Sequence, residues 1–168
     1  MIKSRRCLAA DGRGELHIIE EPIPELNDNH VLVQVERSLI SPGTEIAYGL
    51  MNARKSPNPS APMRKFGYGN AGVVLEVGKG CTHFEPGDRV ACMGGTALHS
   101  THVVVPKNLC IAIPGNIDYS QAAFSHLAAT GMHCVRRGGV GLGHHVVIAG
   151  MGIIGQIASQ LSRISGAH

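Results

Sequence analysis

The chain has no tryptophan and only three phenylalanines and three tyrosines in 168 residues, and no Lys/Arg run exceeds two. Nucleic-acid recognition needs clustered positive charge and aromatic faces for stacking, so no nucleic-acid partner is expected. The formal charge of +3, with 16% charged residues, agrees with that. Long hydrophobic runs are also missing. The longest, Val146 to Ile154, is broken by glycines and falls far short of the roughly 20 residues that a membrane helix needs, so no membrane partner is expected. MIKSRRCLAADGRG, at the start, is basic but has no apolar stretch behind it, which argues against a signal peptide. The five cysteines, at 7, 81, 92, 110 and 134, include no C-x-x-C pair. An odd, scattered set fits reduced thiols better than a disulfide framework, and the expected location is cytoplasmic.

What is present is an ordinary apolar fraction, 43%, with 22 glycines and nine prolines. The first two thirds read as β. GELHIIEEP alternates in part, and VLVQVERSLI alternates cleanly before SPGT breaks it. AGVVLEVGKG, DRVACMGG and HSTHVVVP are further short β-rich runs bounded by Gly and Pro. Closely spaced strands of this kind predict a barrel or sandwich. MNARKSPNPSAPMRK, rich in proline and basic residues, reads as an exposed loop.

The pattern changes at Asp118. DYSQ fits a capping box, and SQAAFSHLAATGMHCVRR then reads as one helix, stopped by Gly138 and Gly139. HHVVIAG follows as a continuous apolar strand, of the type buried on both faces of a parallel sheet. A second helix carries Ile154, Ile157, Ala158, Leu161 and Ile164 on one stripe. The expected organisation is a β-rich body over 1–117, a connecting helix over 118–139, and the start of a nucleotide-binding domain over 140–168.

Gly150-Met151-Gly152-Ile153-Ile154-Gly155 fits G-x-G-x-x-G, placed after a strand and before a helix as a dinucleotide fingerprint requires. The first glycine permits a tight turn and the second lets pyrophosphate approach the backbone. The third lets helix pack on strand, and the helix start supplies N–H groups and a positive dipole end. The alternative is a glycine-rich corner that binds nothing. A ribose-gripping acidic residue and the next parallel strand would both lie beyond His168, so NAD and NADP are not distinguished and the nucleotide domain is expected to be incomplete.

The order of these segments resembles the medium-chain dehydrogenase/reductase superfamily, the alcohol-dehydrogenase-like and quinone-reductase-like enzymes. GELHIIEEPIPEL, VLVQVERSLISPGTE, FGYGNAGVVLEVGKG, FEPGDRVA, HVVVP, AAFSHLAATGMH and the glycine turn all follow the family's order, across essentially the whole chain. The resemblance implies a GroES-like, partly open β-barrel catalytic domain, then a linking helix and the first β-α unit of a Rossmann domain, with NAD or NADP as cofactor and a small-molecule substrate.

Two departures bear on metal. Zinc-using members place a cysteine before Gly-Thr-Asp, where this chain has Pro42 before Gly43-Thr44-Glu45. They place His-Glu where this chain has Tyr68-Gly69. Proline offers no ligand and tyrosine is an uncommon one, so neither a catalytic nor a structural zinc is expected. By the same resemblance Thr44 matches the hydroxyl of the family's proton relay, Thr130 a nicotinamide-lining threonine, and His126 a position often used for a third metal ligand. Thr44 as proton relay, His126 as acid or base and Tyr68 as hydrogen-bond donor are the candidate catalytic residues. Thr130, Gly150, Gly152, Ile153, Ile154 and Gly155 are the candidate cofactor-binding residues. Each catalytic candidate also has a plain structural reading: Thr44 as a turn residue, Tyr68 as barrel packing, and His126 with His133 as hydrogen-bonded imidazoles on a packed helix face. Glu45 is read as a brace for its loop. His99 and His102, three apart in an apparent strand, are expected on opposite faces.

Three functional readings stand at this stage. One is a zinc-independent NAD(P)-dependent oxidoreductase. Another is a zinc-dependent alcohol or polyol dehydrogenase with unusual ligands. The last is a non-enzymatic barrel acting in assembly, with a homodimer formed through the apolar strand and striped helix near the C-terminus.

Overall fold

The computed structural model describes residues 2–168, with Tyr48 described by its backbone alone. It divides into two units, Met1–Phe124 and Ser125–His168. The boundary falls inside the segment expected to be a connecting helix.

The first unit holds two antiparallel sheets. Strand β1 (Ser4–Ala10) pairs with β2 (Leu16–Pro22) and with the two-residue β4 (Arg64–Lys65). The larger sheet has the order β7-β3-β5-β6-β8, formed by His102–Pro106, His30–Ser38, Gly69–Val77, Arg89–Met93 and Cys110–Ala112. It stays open, with β7 and β8 as its edges. Its buried face follows strand alternation: Val31 and Val33 from β3, Val74 from β5, Val90 and Cys92 from β6, and Val103 and Val105 from β7 form one core. The two sheets are stitched by residues 99–101. Leu8 N–H donates to the His99 carbonyl, Thr101 N–H to that of Arg6, and Val35 N–H to that of Thr101.

Strand β1 has no counterpart in the sequence reading. Its alternation is real, because Arg5, Cys7 and Ala9 are all buried, but a charged arginine stands on the inward face. Arg5 is tolerated there because Glu21 on β2 receives its guanidinium at 2.9 and 2.6 Å. Between β3 and β4 the chain is not all loop. A π-helical segment, Gly43–Leu50, runs directly into α1 (Met51–Lys55) before the proline-rich stretch.

The single helix expected over 120–137 is two helices, α2 (Tyr119–Ala122) and α3 (Ser125–Arg137). The Asp118–Gln121 capping box forms in both directions. The break follows from burial: Ala122 and Ala123 sink among Ala71 and Ala91 of the first unit's sheet, while Phe124 stays exposed. Helix α3 stops at Gly138 and Gly139 as expected, with Gly139 at φ +61° and Val140 N–H returning to the Val135 carbonyl.

The expected strand over 144–150 is a correction. No strand is assigned there, and Val147 is 96% exposed. A parallel strand needs a neighbour for its hydrogen bonds, and only the start of one is present. His168 N–H donates to the His144 carbonyl and Val146 N–H to that of His168, both at 2.8 Å. That pair of bonds has the parallel pattern, so the segment after α4 (Ile153–Ile164) begins to pair beside residues 144–146. Among the described residues, no helix is long and apolar enough to cross a membrane.

Candidate functional site

The glycine turn in the second unit is built from three glycines with three different jobs. Gly150 sits at φ +95°, a left-handed conformation that side chains resist. Gly152 is the N-cap of α4 at φ −71°, ψ −175°, open to any residue as backbone; a Cβ there would meet nothing within 4 Å. Gly155 lies so close to the turn that a Cβ would fall 1.9 Å from the Gly150 carbonyl oxygen. Tight turn, open cradle and close packing are the three properties that the fingerprint assigns to its glycines in order. No side chain caps the helix start, and no acidic residue stands in the first turn of α4. The first-turn amides, those of Ile153 and Ile154 among them, are thus free of a competing carboxylate. These residues fit a dinucleotide pyrophosphate.

His126 and Thr130 lie one turn apart on α3. His126 is half-buried, and the exposed Thr130 turns its hydroxyl onto the His126 carbonyl at 3.1 Å. His133, further along, is exposed. Helix α3 packs closely on α4 at Gly131, where a Cβ would meet the Ile157 side chain at 2.8 Å.

Thr44 and Tyr68 belong to the first unit. Thr44 is exposed near the start of the π-helical segment, directly after Pro42 and Gly43. Tyr68 is half-buried in the approach to β5, and its carbonyl accepts the Gly94 N–H at 3.0 Å. What ties their segments together is a contact absent from the sequence reading. Glu45, next to Thr44, is buried, and its carboxylate oxygens lie 3.0 and 3.2 Å from His99 Nε2. The His99 Nδ1 lies 2.9 Å from Ser38 Oγ at the end of β3, and the His99 N–H donates to the Phe66 carbonyl two residues before Tyr68. Glu45 therefore does brace its loop. His99 is not in a strand, since β7 begins only at His102, so the two-face reading of His99 and His102 does not hold. The sequence signal available for this contact was a glutamate beside a candidate threonine, without any local mark of its distant partner.

For metal, Pro42 and Tyr68, which stand where the resemblance would put a ligating cysteine and histidine, provide neither thiolate nor imidazole. Among the described residues, one cluster gathers three donor groups within reach of a single ion, namely Asp11 and Glu15 in the β1–β2 turn and His17 at the start of β2. Asp11 there accepts the N–H groups of Arg13 and Glu15, an ordinary turn role.

Comparison with known proteins gives a consistent result. Residues 27–115 match the alcohol dehydrogenase GroES-like domain. Human sorbitol dehydrogenase (Homo sapiens) is 27% identical over 188 residues, covering 95% of this chain and 52% of its own length. The chicken enzyme (Gallus gallus) is 26% identical, covering 92% and 51%. The chain thus spans about half the length of the curated relatives it matches. Among solved structures, the quinone oxidoreductase of Coxiella burnetii superposes with a TM-score of 0.82 at 25% identity, over 98% of this chain and 55% of that one. A Sinorhizobium meliloti protein solved with bound NADP has a TM-score of 0.81 at 24% identity, over 99% and 55%.

Proposed function

On the premise that this chain belongs to the alcohol dehydrogenase GroES-like domain family, and so to the medium-chain dehydrogenase/reductase superfamily, we propose that it carries the substrate domain and the opening nucleotide-binding step of a zinc-independent NAD(P)-dependent oxidoreductase. The observation that carries this reading is the glycine turn, whose three glycines meet the three separate demands of a dinucleotide fingerprint: a tight turn, an open cradle for pyrophosphate and close helix packing.

The Ile153 and Ile154 amides at the start of α4 hold the phosphates, and Gly152 leaves room for them. A nicotinamide held there would supply hydride transfer. Thr44 takes or returns the proton of the substrate oxygen, Tyr68 donates a hydrogen bond to a carbonyl, and His126 serves as acid or base. The substrate class is an alcohol, a carbonyl compound or an enone. The ligand-poor Pro42 and Tyr68 support chemistry without zinc. The sorbitol dehydrogenase relatives favour a second reading, a zinc-dependent polyol dehydrogenase with unusual ligands. Metal analysis of the purified protein separates the two, because a stoichiometric zinc would establish the second.

Titration with NADPH, followed at the Ile153 and Ile154 amide resonances, tests the nucleotide reading. Shifts there that disappear in Gly152→Val are expected. The variant should stay folded, losing about 1 kcal/mol at most at the N-cap, because a Cβ there meets nothing within 4 Å. Amides unmoved by NADPH, or moved equally in Gly152→Val, would leave the turn merely structural.

A further inference from the structure

We propose that Ser38, His99 and Glu45 form a proton-transfer site within the first unit, opening through Ser38 onto a groove that takes a small molecule bearing a hydroxyl or carbonyl oxygen. His99 is 8% exposed and Glu45 7%, while Ser38 is exposed. The imidazole is held on both nitrogens, Nε2 by the Glu45 carboxylate and Nδ1 by Ser38 Oγ. A carboxylate can only accept, which fixes a hydrogen on Nε2. Nδ1 is then free to exist in two states. Unprotonated, it accepts the Ser38 hydroxyl; protonated, it donates to the same oxygen.

A proton can therefore arrive at Nδ1 or leave it without any member of the chain losing a hydrogen bond. The buried Glu45 carboxylate balances the imidazolium charge when it forms. A histidine kept only to brace the Glu45 loop would need the Nε2 contact alone. The Nδ1 contact adds a path outward, and it ends on the exposed member. Ser38 and His99 line a groove of about 540 Å³. Its other titratable residues are Arg6 and Cys7 from β1 and Glu36 and Arg37 from β3, a set with net positive charge that favours a substrate oxygen gaining negative charge. Every residue of the site lies in the first unit, so this proposal and the nucleotide reading stand or fall separately.

The test uses a fluorophosphonate probe on the intact chain. Ser38 Oγ forms a bond to phosphorus as the P–F bond breaks and fluoride leaves with the electron pair. The Ser38 proton passes to His99 Nδ1 and from there to water. One phosphonyl group on the Ser38 peptide is expected by mass spectrometry, and none in Ser38→Ala. His99→Gln should slow labelling at least about tenfold, in line with loss of a general base. Glu45→Gln keeps the volume and an acceptor for Nε2–H while removing the charge, so it should fold and still label several-fold more slowly. A folded parent chain that leaves Ser38 unlabelled, or that labels no faster than folded Glu45→Gln, would overturn the proposal.

Discussion

At the scale of single residues, Glu21 joins three strands. Its carboxylate receives the buried Arg5 guanidinium from β1 and the Lys65 ammonium, at 3.0 and 2.9 Å, from β4. Partial burial pushes the Glu21 carboxyl up, and the hydrogen bonds and charges of Lys65 and Arg5 outweigh it, holding the group below the ordinary glutamate range. A lowered acid contributes stability that is present above its unfolded value of about 4.3 and is lost as the pH falls through the folded one. Glu21→Gln should therefore cost about 2 kcal/mol at neutral pH, leaving Arg5 buried without its anion, and should flatten the loss of stability below about pH 4. Urea unfolding at pH 7 and at acid pH checks both, and an unchanged acid limb would refute the linkage. The same contact explains why β1 was not legible beforehand. Alternation was there, but the residue that makes Arg5 compatible with an inward face sits on another strand, 16 positions away. His99 was unreadable for the same reason, because its partners Ser38 and Glu45 are more than 50 residues distant in the chain.

At the scale of elements, what the sequence displayed well was local. The Asp118–Gln121 box, the glycine stop after Arg137 and the helix after Gly152 each depend on neighbours within a turn or two, and each is present. Asp118→Ala should remove the cap of α2 and cost about 1 kcal/mol, read from the shift in denaturant midpoint at unchanged slope. What the sequence hid depended on distant partners. Residues 144–150 are apolar enough for a buried strand, yet apolarity cannot supply the ladder, and pairing with the segment after α4 reaches only as far as three backbone bonds, at Gly143, His144 and Val146. The break between α2 and α3 likewise follows from alanines drawn into a sheet that helical periodicity does not describe. Gly155→Ala gives a sharper test of the strand–helix corner. Its methyl group would overlap the Gly150 carbonyl, so unfolding of the second unit should cost about 3 kcal/mol less than in the parent. Hydrogen exchange of the α4 amides would read this directly, and unaltered protection would mean that the corner yields easily.

At the scale of the whole molecule, the second unit leaves large apolar side chains in water: Leu142 at 88%, Val147 at 96% and Ile164 at 81% exposure. Exposed apolar side chains can serve as contact points, and pairing of two copies of the chain is the occupant proposed for them. Sedimentation should show a mass that rises with concentration and that Val147→Lys returns towards the monomer; a concentration-independent monomer would remove the proposal. The three glycines of the turn lead to a different kind of experiment. In a library randomised at positions 150, 152 and 155 and sorted only for soluble, folded chains, position 155 should keep glycine strictly. Position 150 should admit asparagine and aspartate beside glycine, since those tolerate left-handed backbone best. Position 152, the N-cap of α4, should admit serine, threonine, aspartate and asparagine beside glycine. If a second sort, for growth that depends on this protein, restores glycine at 152, then selection there acts through a ligand and not through the fold. Diversity at that one codon would separate the two pressures.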